Sequence, residues 1–153
     1  MKSSILITGA SGGIGQALVH RLADRYQIYA TGRKTDALES LPQGVLTLAG
    51  DLASDTFRAE LSGWAMGVTS VVHNAGSARN IAVEDTDADF DRMVFETNAI
   101  APLDLTRKLQ PSLSRGSPGR VISISSFATH DPFPGFRAYA ASKTALESLV
   151  RSL

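Results

Sequence analysis

The chain alternates short apolar runs with longer stretches in which apolar residues recur every three or four positions. Ile5-Leu6-Ile7, Ile28-Tyr29-Ala30, Val45-Leu46-Thr47-Leu48, Val71-Val72 and Val121-Ile122-Ser123-Ile124 are almost continuously apolar. Runs of this kind, without a two-residue alternation, predict strands of a parallel sheet covered on both faces. Between them, Ile14, Ala17, Leu18 and Leu22 predict one apolar helix face. Phe57, Leu61, Trp64 and Ala65 predict a second, and Leu105, Leu109 and Leu113 a third. Pro42 is expected to stop a short helix over 37–41, and Gly116 to Gly119 to form the turn into the last run. Neither a repeat nor a linker interrupts the series, so residues 1–153 read as a single domain. Five strands with helical crossovers predict an α/β fold, a doubly wound parallel sheet with helices on both faces.

Composition narrows the function classes. Apolar residues make up 43% of the 153 positions and charged residues 20%, the balance of an ordinary globular domain. Lys plus Arg equals Asp plus Glu, 15 against 15, so nothing points to a nucleic-acid or membrane-surface partner. With no Cys, the chain can hold no disulfide, thiolate nucleophile or Cys-ligated zinc. The first apolar run is too short for a signal peptide and passes directly into a glycine-rich turn, so a cytoplasmic protein is expected.

Three places carry candidate chemistry. Thr8-Gly9-Ala10-Ser11-Gly12-Gly13-Ile14-Gly15 lies between the first strand and the first helix. Glycines there let the backbone turn tightly and approach a pyrophosphate, whose charge a helix N-terminus favours. Taken alone it is also readable as a plain glycine-rich turn. The second strand then ends Thr31-Gly32-Arg33-Lys34, where an NAD site usually has an acid for the ribose 2′-OH. A guanidinium at Arg33, with Ser11 as a neutral helper, suits a 2′-phosphate and predicts NADP over NAD, unless Arg33 and Lys34 simply form a solvated loop. The third place is Tyr139-Ala-Ala-Ser-Lys143, which puts a phenol and an ammonium one helical turn apart. A fixed positive charge favours phenolate and draws Tyr toward acid-base work.

Together these elements resemble the short-chain dehydrogenase/reductase family. Thr8 to Gly15 matches its T-G-x-x-x-G-x-G and, through Gly12, also the T-G-x-x-G-x-x-G of its extended branch. His73-Asn74-Ala75-Gly76 resembles the family's N-N-A-G with His for the first Asn, and Gly50-Asp51-Leu52 falls where relatives hold the adenine ring. These two elements favour the oxidoreductase branch. The resemblance implies a Rossmann-like fold and a nicotinamide cofactor bound by Gly9, Ser11, Gly13, Ile14, Gly15, Arg33, Asp51, Leu52, Asn74, Ala75, Gly76, Tyr139 and Lys143. It implies four catalytic residues. Tyr139 would exchange a proton with a carbonyl or secondary alcohol. Lys143 would assist it and bind the nicotinamide ribose. Ser126, thirteen positions before Tyr139, would orient the substrate oxygen, with Ser125 the choice if the register slips by one. Asn98 would hold a relay water.

No metal site is expected. His20, His73 and His130 are scattered, and His130, in the Pro-rich loop between Ser126 and Tyr139, reads as a solvated loop residue before one facing substrate. Asp85, Asp87, Asp89 and Glu96 occupy calcium-loop spacing, but Phe90 stands where the sharp turn needs Gly. The acids are better placed to favour the N-terminus of a helix carrying Phe90, Met93 and Val94. Only ten residues follow Lys143. Relatives continue into a sixth and seventh strand and a substrate loop, so a sheet lacking the last strands is expected, with an apolar edge on the fifth. A homodimer or homotetramer is implied by the family. The alternative to an NADP-dependent oxidoreductase is an inactive fragment or a cofactor-binding remnant without turnover.

Overall fold

A computed structural model describes residues 3–115 and 119–153. Five strands form one parallel sheet in the order β3-β2-β1-β4-β5: β1 Ser4–Thr8, β2 Gln27–Gly32, β3 Leu46–Ala49, β4 Ser70–His73 and β5 Arg120–Ser123. Chain order reverses direction at β1, which pairs with β2 on one side and β4 on the other. That arrangement is the doubly wound, Rossmann-like fold expected from the sequence. The helices are α1 Gly13–Leu22, α2 Thr35–Glu39, α3 Asp55–Trp64, α4 Ala88–Phe95, α5 Ala101–Leu113 and α6 Arg137–Arg151.

Alternating residues of β1 feed two cores. Ile5 and Ile7 point to the side of α1 and α2, where they meet Val19, Ile28, Ala30, Leu38 and Val72. Leu6 points to the side of α3 and α5, among Leu61, Val71, Leu105 and Leu109. Each such fully buried Leu or Ile contributes about 1.5–3 kcal/mol by leaving water. Side-chain caps fix two helix starts. Ser54 accepts from the Phe57 amide at 3.3 Å, and Asp87 accepts from the Phe90 amide at 2.7 Å. Asp87 therefore does what the acidic run was expected to do.

Several details differ from the sequence pattern. The buried positions of α1 are Gly15 and Val19, with Leu18 and Leu22 partly covered, whereas Ile14 is 61% exposed and Ala17 also faces out. A glycine can be the point of closest helix–strand contact without registering as apolar. The short α2 starts and ends two residues earlier than expected. The edge strands are not covered on both faces, since Leu46 in β3 and Ile122 in β5 are 42% and 45% exposed. Most of the turn expected at Gly116 to Gly119 lies outside the described residues.

Between α4 and α5 the helix does not break but widens, with Glu96–Ile100 wound as a π-helix. The Ala101 amide reaches back five residues to the Glu96 carbonyl. Pro102 supplies the reason: its ring would crowd the carbonyl one α-turn back, at Asn98, and it brings no N–H to this stretch. The segment is anchored from outside by Arg58 on α3, which is only 5% exposed. Its guanidinium donates to the Leu52 carbonyl at 2.7 Å, to Glu96 at 2.8 Å and to Asp104 at 2.9 Å. Burial alone would raise the Asp104 carboxyl, but hydrogen bonds from Arg107, Arg58 and Lys108 outweigh it and hold Asp104 at about 2.

Candidate functional site

Parallel pairing brings every strand's C-terminal end to one edge of the sheet, with Thr8 beside Thr31, Gly32 beside Ala49 and His73 beside Ser123. There the strand exits enclose a cleft of about 420 Å³. Gly9, Ser11, Gly13, Ile14, Gly15, Arg33, Asp51, Leu52, Asn74, Ala75 and Gly76 line it. These are the positions the sequence marked for cofactor contact, apart from Tyr139 and Lys143. Gly12, Gly32, Lys34, Gly50 and Thr97 complete the wall. Sequence reading left these five out of the contact set, although glycines closing the second and third strands were a visible signal.

At Gly9 and Gly15 the backbone itself leaves no room for a side chain. Gly9 has φ +66°, and a Cβ there would stand 2.7 Å from the Ala75 Cα. A Cβ on Gly15 would strike the Gly9 carbonyl and lie 2.7 Å from the Ala10 Cα. The first glycine lets the loop after β4 press against the loop after β1, and the second seats α1 on that loop. Hydrogen bonds fix the same contact. The buried Thr8 hydroxyl accepts from the Asn74 and Ala75 amides, both at 3.1 Å, and the Asn74 side chain donates to the Thr8 and Gly9 carbonyls at 3.0 and 3.1 Å. Helix α1 opens onto the cleft with Gly12 as its cap and no acid in its first turn, so its N-terminal amides keep their partial positive charge. Arg33 is exposed at the rim, and no acid pairs with it among the described residues.

The second half of the site is built where β5 meets α6. Lys143 is 3% exposed, and its ammonium donates to the Ile124 carbonyl at 2.8 Å. Burial lowers its pKa below the usual lysine value. The same ammonium lies 6.0 Å from the Tyr139 ring centre, and Phe136 packs edge-on against that ring at 6.2 Å. A Cβ on Gly76 would sit 3.6 Å from both Lys143 Nζ and Asn98 Oδ1, so Gly76 joins the glycine-lined cleft to the Tyr139/Lys143 face.

Asn98 lies in the π-helical segment and is fully buried. Its side-chain oxygen accepts from the Ser77 amide at 2.7 Å, and its nitrogen donates to the Ser77 carbonyl and to Ser142 Oγ, each at 2.9 Å. The side chain is thus engaged as a brace between the loop after β4 and α6. Ser126 caps a 3-10 turn, Phe127–Thr129, by accepting from the Ala128 amide at 3.2 Å. That leaves the Ser126 hydroxyl proton uncommitted. Ser125 differs: its hydroxyl donates to the Glu147 carboxylate. Of the two neighbouring serines, only Ser126 has its donor free.

His73 stands where the family pattern has Asn. It is 2% exposed, with Nε2 2.8 Å from Thr106 Oγ1. Burial first, then the Lys143 charge, push its pKa down to about 4, so it is neutral near pH 7. Among the described residues no three His, Asp or Glu side chains converge as a metal site. No helix among the described residues is long and apolar enough to cross a membrane.

A parallel sheet wound in both directions from its first strand, with a glycine-lined cleft at the carboxyl edge, defines the Rossmann-like class. Within that class, the family model described as short chain dehydrogenase matches residues 3–153, and the chain belongs to this family. It is 33% identical to serine 3-dehydrogenase of Agrobacterium fabrum, across 100% of this chain and 65% of that protein. Identity to dehydrogenase/reductase SDR family member 7B of Bos taurus is 32%, across 97% of this chain and 51% of that one. Among solved structures, a 3-oxoacyl (acyl-carrier-protein) reductase of Agrobacterium tumefaciens with NADP bound superposes with a TM-score of 0.89. Identity there is 27%, over 98% of this chain and 62% of that one. The chain therefore spans about half to two-thirds of the length of the relatives it matches.

Proposed function

We propose that this chain binds NADP and serves hydride transfer between the nicotinamide and a carbonyl or secondary alcohol. The observation carrying this reading is the continuity of the cleft. The amide-rich N-terminus of α1 and the rim Arg33 lie at one end, and Gly76 opens at the other onto Lys143. The donor set fits the cofactor. Helix amides and Ser11 suit the diphosphate, and Arg33 offers a bidentate partner to a 2′-phosphate. Asp51 and Leu52 flank the adenine side, and Asn74, Ala75 and Gly76 flank the nicotinamide half. The NADP-bound Agrobacterium reductase supports the choice by likeness.

When bound, the nicotinamide supplies or accepts the hydride. Tyr139 gives the carbonyl oxygen its proton in reduction, or takes one from the alcohol in oxidation. Lys143 stabilises negative charge developing on the phenol as that proton leaves, and its ammonium is a donor to the ribose. Ser126 turns its free hydroxyl toward the substrate oxygen. Asn98 braces the loop and α6 through its side chain, and Pro102 has no N–H to offer the Asn98 carbonyl, where a relay water would find an acceptor. Phe95, Ile100 and Leu103 face outward along α4 and α5, and this strip is the expected contact with a second copy of the chain.

The test is NADPH binding and carbonyl-dependent NADPH oxidation by the purified chain beside Tyr139→Phe. Turnover is expected only in the parent, with binding in both. Equal turnover would overturn the assignment of Tyr139, and binding without turnover in the parent would leave a cofactor-binding remnant. Arg33→Ala is expected to weaken NADPH more than NADH, and an equal effect on both would remove the case for NADP.

A further inference from the structure

Glu147 lies one turn beyond Lys143 on α6, so Tyr139, Lys143 and Glu147 follow one another at four-residue intervals along the same face. Its carboxylate accepts from the Ser125 hydroxyl and from Thr129 Oγ1 at 3.1 Å. Thr129 in turn is bonded back to Ser126, its amide 3.2 Å and its hydroxyl 2.9 Å from the Ser126 carbonyl. The same hydroxyl lies 2.8 Å from His130 Nδ1. With that ring nitrogen protonated His130 donates to Thr129, whose one proton is then shared between Glu147 and the Ser126 carbonyl. Both ends of the turn that carries Ser126 are therefore tied to one carboxylate. Lys143 holds the residue just before, through the Ile124 carbonyl. Arg151 stands 3.2 Å from Glu147 with its side chain 79% exposed, so this pair adds little, and His130 is a second basic group acting on the carboxylate.

We propose that Glu147 is a positioning residue, a clamp that fixes the turn from Ser125 to Thr129 and so aims the Ser126 hydroxyl at the substrate oxygen. The proposal rests on the reading of Ser126 given above, but the clamp itself is a property of the free chain. Hydrogen bonds in which the acceptor is ionised are the stronger kind, and two of them converge here. The hydroxyls donate and the carboxylate only accepts. A glutamine keeps one accepting oxygen, whereas an alanine keeps none.

Amide hydrogen exchange by NMR on the purified chain tests this without requiring turnover. In Glu147→Ala, exchange at Ala128 and Thr129 is expected to rise on the order of tenfold, while Leu6 and Val71 in the central strands keep their rates. Glu147→Gln is expected to stay within about threefold of the parent at all four. Ser125→Ala with Thr129→Val, which removes the donors and leaves the carboxylate, is expected to reproduce the alanine result. Unchanged exchange at Ala128 and Thr129 in both the alanine variant and the double variant would overturn the clamp. So would a rise shared equally by Leu6 and Val71 in both, because that is global destabilisation. Where the parent turns over, Glu147→Ala should lower kcat with little change in the KM for NADPH, and Glu147→Gln should recover most of it. A parent without turnover refutes the reading of the site, while the exchange result still decides the clamp.

Discussion

Replacing His73 by Asn, the residue the family pattern carries there, should remove a stability loss in mild acid. In the folded chain the imidazole is buried beside Lys143 and titrates near 4 instead of 6.5. The unfolded chain therefore takes up a proton between these values that the folded chain refuses, so stability falls as pH drops through this window. The full difference is at most about 3 kcal/mol at 1.36 kcal/mol per pKa unit. Between pH 7.5 and pH 5 it comes to about 2 kcal/mol. The assay is urea unfolding at both pH values, followed by the fluorescence of Trp64, the only tryptophan, whose ring packs edge-on against Tyr29 at 5.0 Å. His73→Asn loses packing and should be less stable than the parent at pH 7.5, but its stability should fall by about 2 kcal/mol less on going to pH 5. Thr106→Val removes the hydrogen bond without removing the titration, so it should keep the parent's pH dependence. Equal pH dependence in the parent and His73→Asn would refute the reasoning.

Further outcomes follow from other parts of the structure. Arg58→Met should cost about 3–5 kcal/mol in urea unfolding, because Asp104 and Glu96 lose the buried cation they share. Asp104→Asn should flatten the acid limb between about pH 4 and pH 2, where the paired carboxyl of the parent is finally protonated. Solvent screening limits that contribution to about 1–2 kcal/mol, and a parent with no such limb would dismiss the network. Gly9→Ala should abolish NADPH binding measured by fluorescence titration, since its Cβ strikes the Ala75 backbone. Ser126→Ala should lower turnover by about 10²–10³, the scale of one lost donor to a developing oxyanion, and a larger loss in Ser125→Ala would reverse the assignment.

The strands were legible because each is a compact apolar run, and α3 and α5 because their buried residues are large. An apolar run does not say what lies over it, however, so Leu46 and Ile122 read as covered and are not. The buried face of α1 was misplaced for the opposite reason: its closest contact is Gly15, which carries no side chain to signal burial. Arg58 was invisible as a core residue because its partners Glu96 and Asp104 lie 38 and 46 positions away, and only the fold brings them together. The π-helical turn was readable in principle, since Pro102 stands four residues after Asn98 and cannot be placed there without crowding its carbonyl.

The choice between Ser125 and Ser126 shows most clearly what the fold adds. Counting thirteen residues back from Tyr139 picks Ser126, but a count cannot say why its neighbour would fail. The structure supplies a chemical reason. Successive turns of α6 present an ammonium and then a carboxylate to the exit of β5. The ammonium takes the Ile124 carbonyl, the carboxylate takes the Ser125 hydroxyl, and the next hydroxyl along is the one left with its donor free. Lys143 and Glu147 thus occupy the groups before Ser126 and leave its hydroxyl as the free donor, which supports the proposed role of Ser126. The four-residue spacing from Tyr139 to Lys143 extends by one more turn, and it is this third residue, absent from any motif count, that tells the two serines apart.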